Sequence, residues 1–294
     1  MKYNIDPQIK MFCIKIPFNA QIASLSHVPM TVMLKFVGKS GIKVRKDSYC
    51  GCPIYIIEPN GIKSDAPCIV FYHGGGFGFK AAPHHKSLAL KLASEIGCRV
   101  VMPDYRLLPD NPYPAAREDA LSAYRYACQN FPNSNLAVIG DSAGGALAIY
   151  SVLDAENDGL KAPKLQMLLY PVADGECETE SMKKYTDTPL WNARNNRVMW
   201  SMYLGKHDIK EASPFHIELP KSIPDAYIET AEFDCLHDEG IAYAQKLENA
   251  GANVELHDIN GTPHGYDIAG GSRIMQKCMA MRISALKKAF GLNA

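Results

Sequence analysis

The chain has 294 residues, enough to bury a large core without disulfides. Lysine plus arginine number 31, as do aspartate plus glutamate, so the formal net charge is zero at pH 7. That balance argues against a nucleic-acid partner and suggests no strongly charged substrate, although local fields can differ from the average.

Residues 1–40 mix aromatic, Met and Ile residues without a strand–helix pattern. Lys2, Asp6, Lys10 and Lys15 leave no clean signal-peptide core there, and no run of eighteen apolar residues occurs anywhere. From about residue 43 short apolar runs alternate with longer periodic ones. In chain order they predict strands at 53–57 and 68–72, a helix over 81–96, a strand at 99–102 and a helix over 115–129. A strand at 136–139, a helix over 144–153 and a strand at 165–169 come next. The series closes with a strand at 226–229, a helix over 239–250, a strand at 254–258 and a helix over 273–289. This alternation implies an α/β fold, a mostly parallel sheet with helices on both faces, with antiparallel pairing allowed for the first strands. Between 102 and 115 Leu108-Pro109 and Tyr113-Pro114 fall in a proline-dense segment joining a strand to a helix.

Residues 173–215 interrupt the rhythm between two strands. A connection that long is usually functional. With residues 1–40 it is expected to form one helical cap over the C-terminal edge of the sheet, on a single domain spanning 1–294; the alternative is ordinary peripheral helices whose aromatics are core. Its Met199-Trp200 and Met202-Tyr203 pairs suit an acyl pocket or a buried helix face about equally. The nine cysteines are scattered, and Cys68, Cys98 and Cys128 sit in apolar runs, so reduced thiols in a cytoplasm are expected. Cys50-Gly51-Cys52 has no second pair at ligand spacing and is expected to be two loop thiols, with no metal site.

The chemistry concentrates in three places. Gly140-Asp141-Ser142-Ala143-Gly144 follows a predicted strand and precedes a predicted helix, the context of a nucleophile elbow. Small residues two positions either side of the serine permit the strained turn that exposes its hydroxyl at a helix N-terminus. His73-Gly74-Gly75-Gly76-Phe77 follows another strand, and a glycine run there can turn N–H groups inward to form half of an oxyanion hole, the other half being the N–H of Ala143. The ending Phe77-Gly78-Phe79 lacks the Gly-Lys-Ser/Thr of a phosphate loop. A base and an acid must follow in the order acid, then histidine. His264 lies in a Gly/Pro loop after the last predicted strand, and Asp234 lies just past the strand end at 229, with Asp238 as the alternative acid. His84-His85 opens a helix and is expected to be a solvated cap.

These residues, with Asp104-Tyr105-Arg106-Leu107-Leu108-Pro109, Tyr113-Pro114-Ala115-Ala116, Asp234-x-Leu-x-Asp-Glu-Gly240 and His264-Gly265, occur in the order of the hormone-sensitive-lipase-like esterases. The chain resembles the Gly-Asp-Ser-Ala-Gly branch of that family over about residues 50–270. Leu108 departs from it, standing where Ala is more usual. Cis is a minority state even before proline, and it is the resemblance that leads one or both of the Leu108-Pro109 and Tyr113-Pro114 bonds to be expected cis. The resemblance implies an α/β-hydrolase fold, esterase activity on short or medium acyl chains and no cofactor. It assigns the triad to Ser142, Asp234 and His264 and the oxyanion hole to Gly74, Gly75 and Ala143. Phe77, Trp200 and Tyr203 are the candidate substrate-binding side chains. The expected partner is a small-molecule ester; a homodimer is allowed for, and neither nucleic acid nor a membrane is expected. An amidase or deacylase with the same triad is the alternative, and a non-catalytic binding protein on this scaffold the least favoured, since all three triad members are present.

Overall fold

The computed structural model describes residues 2–35 and 37–293. Two helices open the chain: α1 (Pro7–Lys10), capped by the Asp6 carboxylate, and α2 (Ala20–Leu34), capped by the Asn19 side chain. Strands β1 (Ile42–Tyr49) and β2 (Cys52–Pro59) then form an antiparallel hairpin. Its two turn residues, Cys50 and Gly51, have φ of 49° and 81°. Positive φ at both positions lets a two-residue turn match the twist of its strands, so Cys50-Gly51 makes the turn, while Cys52, expected in a loop, is a buried residue of β2 paired with Tyr49.

The alternation follows as β3 (Cys68–Tyr72), α3 (Pro83–Ile96), β4 (Arg99–Pro103), α4 (Ala115–Asn130), β5 (Leu136–Asp141), α5 (Ala143–Asn157) and β6 (Leu165–Leu169). The long insertion holds α6 (Glu180–Lys184), α7 (Ala193–Leu204) and α8 (Ile209–Ala212). The chain closes with β7 (Asp225–Phe233), α9 (His237–Asn249), β8 (Val254–Pro263) and α10 (Arg273–Phe290).

The eight strands make one sheet in the order β1-β2-β4-β3-β5-β6-β7-β8. The pairs β1–β2 and β2–β4 are antiparallel and the rest are parallel. Strands β3 to β6 are buried at every residue, which is why they read as continuous apolar runs. One core packs α4, α5 and α9 against one face of the sheet, and a second packs α3 and α10 against the other. Both the Leu108–Pro109 and Tyr113–Pro114 peptides are cis.

Two expectations needed correction. β1 is a strand with no apolar alternation, because it is an edge strand carrying Lys43, Arg45, Lys46 and Asp47 mostly toward solvent. β8 runs to Pro263, five residues beyond 258, past a register shift against β7 between Ala231 and Phe233. That shift re-aims the strand ends, as a bulge does. The result matters for function: the loops after β3, β5, β7 and β8 all leave the same, C-terminal edge of the parallel sheet.

Candidate active site

Ser142 stands between the end of β5 and the start of α5 with φ 54° and ψ −121°, a conformation costly for a residue with a side chain. The flanking glycines are required by space. A Cβ on Gly140 would lie 2.0 Å from the Gly144 carbonyl oxygen, and one on Gly144 would lie 2.0 Å from that of Tyr72. The turn closes only with hydrogen at both positions.

The serine Oγ–H donates to His264 Nε2 at 2.8 Å, and His264 Nδ1–H donates to Asp234 Oδ2 at 2.7 Å. The acceptor-only carboxylate fixes the proton on Nδ1 and leaves Nε2 free to accept. Asp234 is wholly buried, and its other oxygen accepts from Leu236 N at 3.0 Å. Asp238, the alternative acid, is engaged elsewhere: its carboxylate accepts from Ser181 N at 2.7 Å and pairs with His237. Glu239 is buried and accepts from Ala173 N at 2.8 Å; burial pushes its carboxyl well up, against the opposing pull of the Ala173 and Asp174 N–H groups. Both residues thus tie down the start of the insertion.

The glycine loop differs from the expected assignment. Gly74 N–H is not free: it donates to Asp141 Oδ1 at 3.0 Å. Gly75, Gly76 and Ala143 make no backbone N–H hydrogen bond among the described residues, and Gly75 and Gly76 line the cleft with Ser142. Gly76 stands at φ 58°, and the Gly74 N–H is committed to setting the loop. Gly76 also has no room for a Cβ, which would come within 2.7 Å of the Trp191 ring.

Asp141 is the residue that sequence reasoning passed over. Its second oxygen accepts from His85 Nε2 at 3.1 Å, while His85 Nδ1 accepts from Ala82 N at 2.8 Å. His85 is buried and holds the elbow to the glycine loop, so the expectation of a solvated cap at His84-His85 is corrected for His85. Burial alone would raise the Asp141 carboxyl, but the His85 charge and hydrogen bond, with help from His84 and His73, outweigh it and hold it down at about 2. Burial, reinforced by His85, lowers His73 to about 4, and burial lowers His84 to about 3, so both are neutral at pH 7. His84, His85 and Asp141 cluster closely enough to suggest a metal site. Both His85 nitrogens and both Asp141 oxygens are already hydrogen-bonded within the chain. The only local hint of this pair was a carboxylate beside the nucleophile.

The cleft over Ser142 has a volume of about 170 Å³ and is walled by Trp191, Leu190, Tyr170 and Ile268, with Ile16 and Met30 at its rim. The expected substrate-binding side chains are elsewhere. Phe77 and Tyr203 stack face to face at 3.9 Å, Trp200 packs edge-on to Tyr203 at 5.8 Å, and all three are buried and outside the cleft lining. The reason is helical phase: Met199, Trp200 and Tyr203 share the face of α7 turned to the core. Trp191, just before α7, lines the cleft together with Phe79 and Tyr170. The N-terminal segment meets the insertion here: Leu190 N donates to Ile14 O at 2.8 Å, Phe18 N to Asn195 Oδ1 at 3.1 Å, and the Phe18 ring lies 5.2 Å from that of Trp191.

A family model described as the alpha/beta hydrolase fold matches residues 69–268. An ethyl acetate hydrolase of Pseudomonas putida is 34% identical over 208 residues, covering 67% of this chain and 65% of that protein, just under two thirds of its length. Carboxylesterase NlhH of Mycobacterium tuberculosis is 30% identical over 287 residues, covering 90% of this chain and 89% of its own. Among solved structures, esterase LipW from Mycobacterium marinum superposes with a TM-score of 0.89 at 30% identity, covering 98% of this chain and 96% of that one.

Proposed function

The chain belongs to the hormone-sensitive-lipase-like esterases of the α/β-hydrolase fold, and from that premise we propose that it is a serine carboxylesterase for short-chain acyl esters. The observation that carries this reading is the unbroken relay Ser142–His264–Asp234, at 2.8 and 2.7 Å, beside three uncommitted N–H groups.

His264 takes the Ser142 proton as Oγ attacks the ester carbonyl, and Asp234 stabilises the imidazolium. The N–H groups of Gly75, Gly76 and Ala143 receive the oxyanion. The imidazolium then protonates the departing alkoxide, and the acyl group remains on Ser142. Water, deprotonated by His264, attacks that acyl-enzyme, and the imidazolium returns the proton to Ser142 Oγ as the acid is released. Every group in this sequence comes from one chain, and none of the steps calls for a metal or cofactor. The α2 helix and the 173–215 insertion act together as the cap, with Trp191 as the wall that limits the acyl group. Nine free thiols, most of them buried, support a reducing compartment such as the cytoplasm.

A chromogenic acetyl ester and the matching anilide test the reading together. The ester is expected to turn over and the anilide to resist. Ser142→Ala is expected to lower turnover on the order of a millionfold with an unchanged circular dichroism spectrum. Substantial esterase activity in that variant would remove Ser142 from the mechanism, and preferred cleavage of the anilide would make the protein an amidase.

A further inference from the structure

We propose that the rim of the cleft, formed by residues 11–16 and the outer face of α2, is a docking surface for an anionic lipid bilayer. Among the described residues fourteen large apolar side chains are exposed, and nine of them fall between positions 11 and 44. That clustering is what separates a working patch from the scattered apolar residues of any surface.

The α2 helix carries no Asp, Glu, Lys or Arg. Its inner face is used: Ala23 is buried, and the His27 ring bonds the Gly78 carbonyl at 2.7 Å, next to the oxyanion loop. Its outer face repeats Leu25, Val28 and Val32 at the i, i+3, i+7 spacing of one stripe, with Leu25 76% and Val28 73% exposed. The 11–16 segment adds Met11 and Ile14. Both segments reach the catalytic cleft, through Ile16 and Met30. The apolar surface therefore borders the cleft at Ile16 and Met30.

Charge selects the occupant. Residues 1–46 hold eight lysines and arginines against a single acidic residue, Asp6, in a chain whose total is neutral, although Lys2 and Lys15 pair with Asp187, Lys39 with Glu95, and Arg45 with Asp47 and Glu58. No carboxylate occurs from position 7 to 46, and Lys10 and Lys35, which flank the patch, are exposed and make no ion pair among the described residues. An apolar stripe with a lysine fringe is what an interfacial helix presents to anionic headgroups. A second copy of the chain fits poorly, because a two-fold contact would set this patch on itself and lysine against lysine. The contact is peripheral, since no helix of the described residues is long and apolar enough to cross a membrane.

Vesicle flotation tests the proposal without using turnover. The protein is expected to bind vesicles containing about one third phosphatidylglycerol at least about tenfold better than pure phosphatidylcholine, and to be released near 1 M salt, where the screening length is about 3 Å. Leu25→Glu/Val28→Glu/Val32→Glu is expected to lose that binding at least about tenfold. Its rate on a water-soluble acetyl ester is expected to be unchanged. Lys10→Glu/Lys35→Glu, in which no apolar contact is altered, is expected to weaken binding in the same direction. Ser142→Ala is expected to bind vesicles as the parent does, which separates docking from esterase chemistry. Equal affinity for neutral and anionic vesicles, retained binding in the triple variant, or a dimer in solution that the triple variant dissociates would each overturn the proposal.

Discussion

Asp141 shows how one side chain beside the nucleophile can govern donors it does not itself supply. Its two oxygens link Gly74 N–H to His85, so the N–H groups of Gly75 and Gly76 are aimed by a bond made one residue earlier. Asp141→Ala would leave Gly74 N–H and His85 Nε2–H buried without acceptors and release the loop. Loss of one oxyanion donor costs on the order of a hundredfold or more in turnover. A displaced loop should cost somewhat less, so kcat is expected to fall by about 10- to 100-fold with KM nearly unchanged. Asp141→Asn, which keeps an acceptor for Gly74, is expected to recover most of the rate. Steady-state kinetics on both variants reads this directly, and a rise in KM at constant kcat would place Asp141 in substrate binding instead.

Strand β7, helix α10 and the loop after His264 are joined by a buried ionic set. Arg282, with no exposed surface, bonds Glu229 at 2.9 Å through Nε and Asp267 at 2.5 Å through a terminal nitrogen. Asp267 also accepts from Tyr170 at 2.6 Å, and the Tyr170 ring packs edge-on to His264 at 4.9 Å. Removing one partner of a buried pair strands the other charges and typically costs about 3–5 kcal/mol. Arg282→Met is expected to lose that much in urea denaturation. The same elements set the acid limit. Burial would raise the Asp267 carboxyl, but Arg282 outweighs it and holds it below the usual range, and Asp141 lies down at about 2. A carboxyl lowered in the folded state contributes stability that is fully present above its unfolded value of about 3.9 and is lost as pH falls through the folded value. The denaturation midpoint is therefore expected to fall from about pH 4 toward pH 2, and no fall across that interval would contradict the assignment.

At the scale of the whole molecule, two segments far apart in sequence meet over the sheet and leave a small cleft. Its 170 Å³ is bounded by Trp191, which abuts Gly76 on one side and Phe18 on the other and so cannot swing aside freely. Each buried methylene of an acyl chain gains about 0.8 kcal/mol until the end wall is met, and sterics oppose it thereafter. Catalytic efficiency is expected to peak at acyl chains of roughly two to six carbons and to drop steeply by about twelve. A maximum at twelve carbons or longer across an ester series would mean an open groove in place of a walled cleft.

What could be read without coordinates was whatever a few neighbouring residues encode. The Gly-x-Ser-x-Gly spacing dictates a turn because backbone atoms 2.0 Å from a notional Cβ leave no choice at Gly140 and Gly144. The buried strands announce themselves because both their faces are apolar, and Asp234 and His264 follow from the order in which strand ends deliver loops to one edge. Other features depend on contacts between distant positions and carry no local mark. The bond from Gly74 N–H to Asp141, 67 residues away and itself held by His85, is one, and it commits the N–H of that glycine. The ionic set of Glu229, Asp267 and Arg282 is another. The choice of Trp191 over Trp200 at the cleft was settled by the phase of α7 against the core, and β1 was found only by its pairing with β2. Periodicity shows that a face is buried; only packing shows what it is buried against.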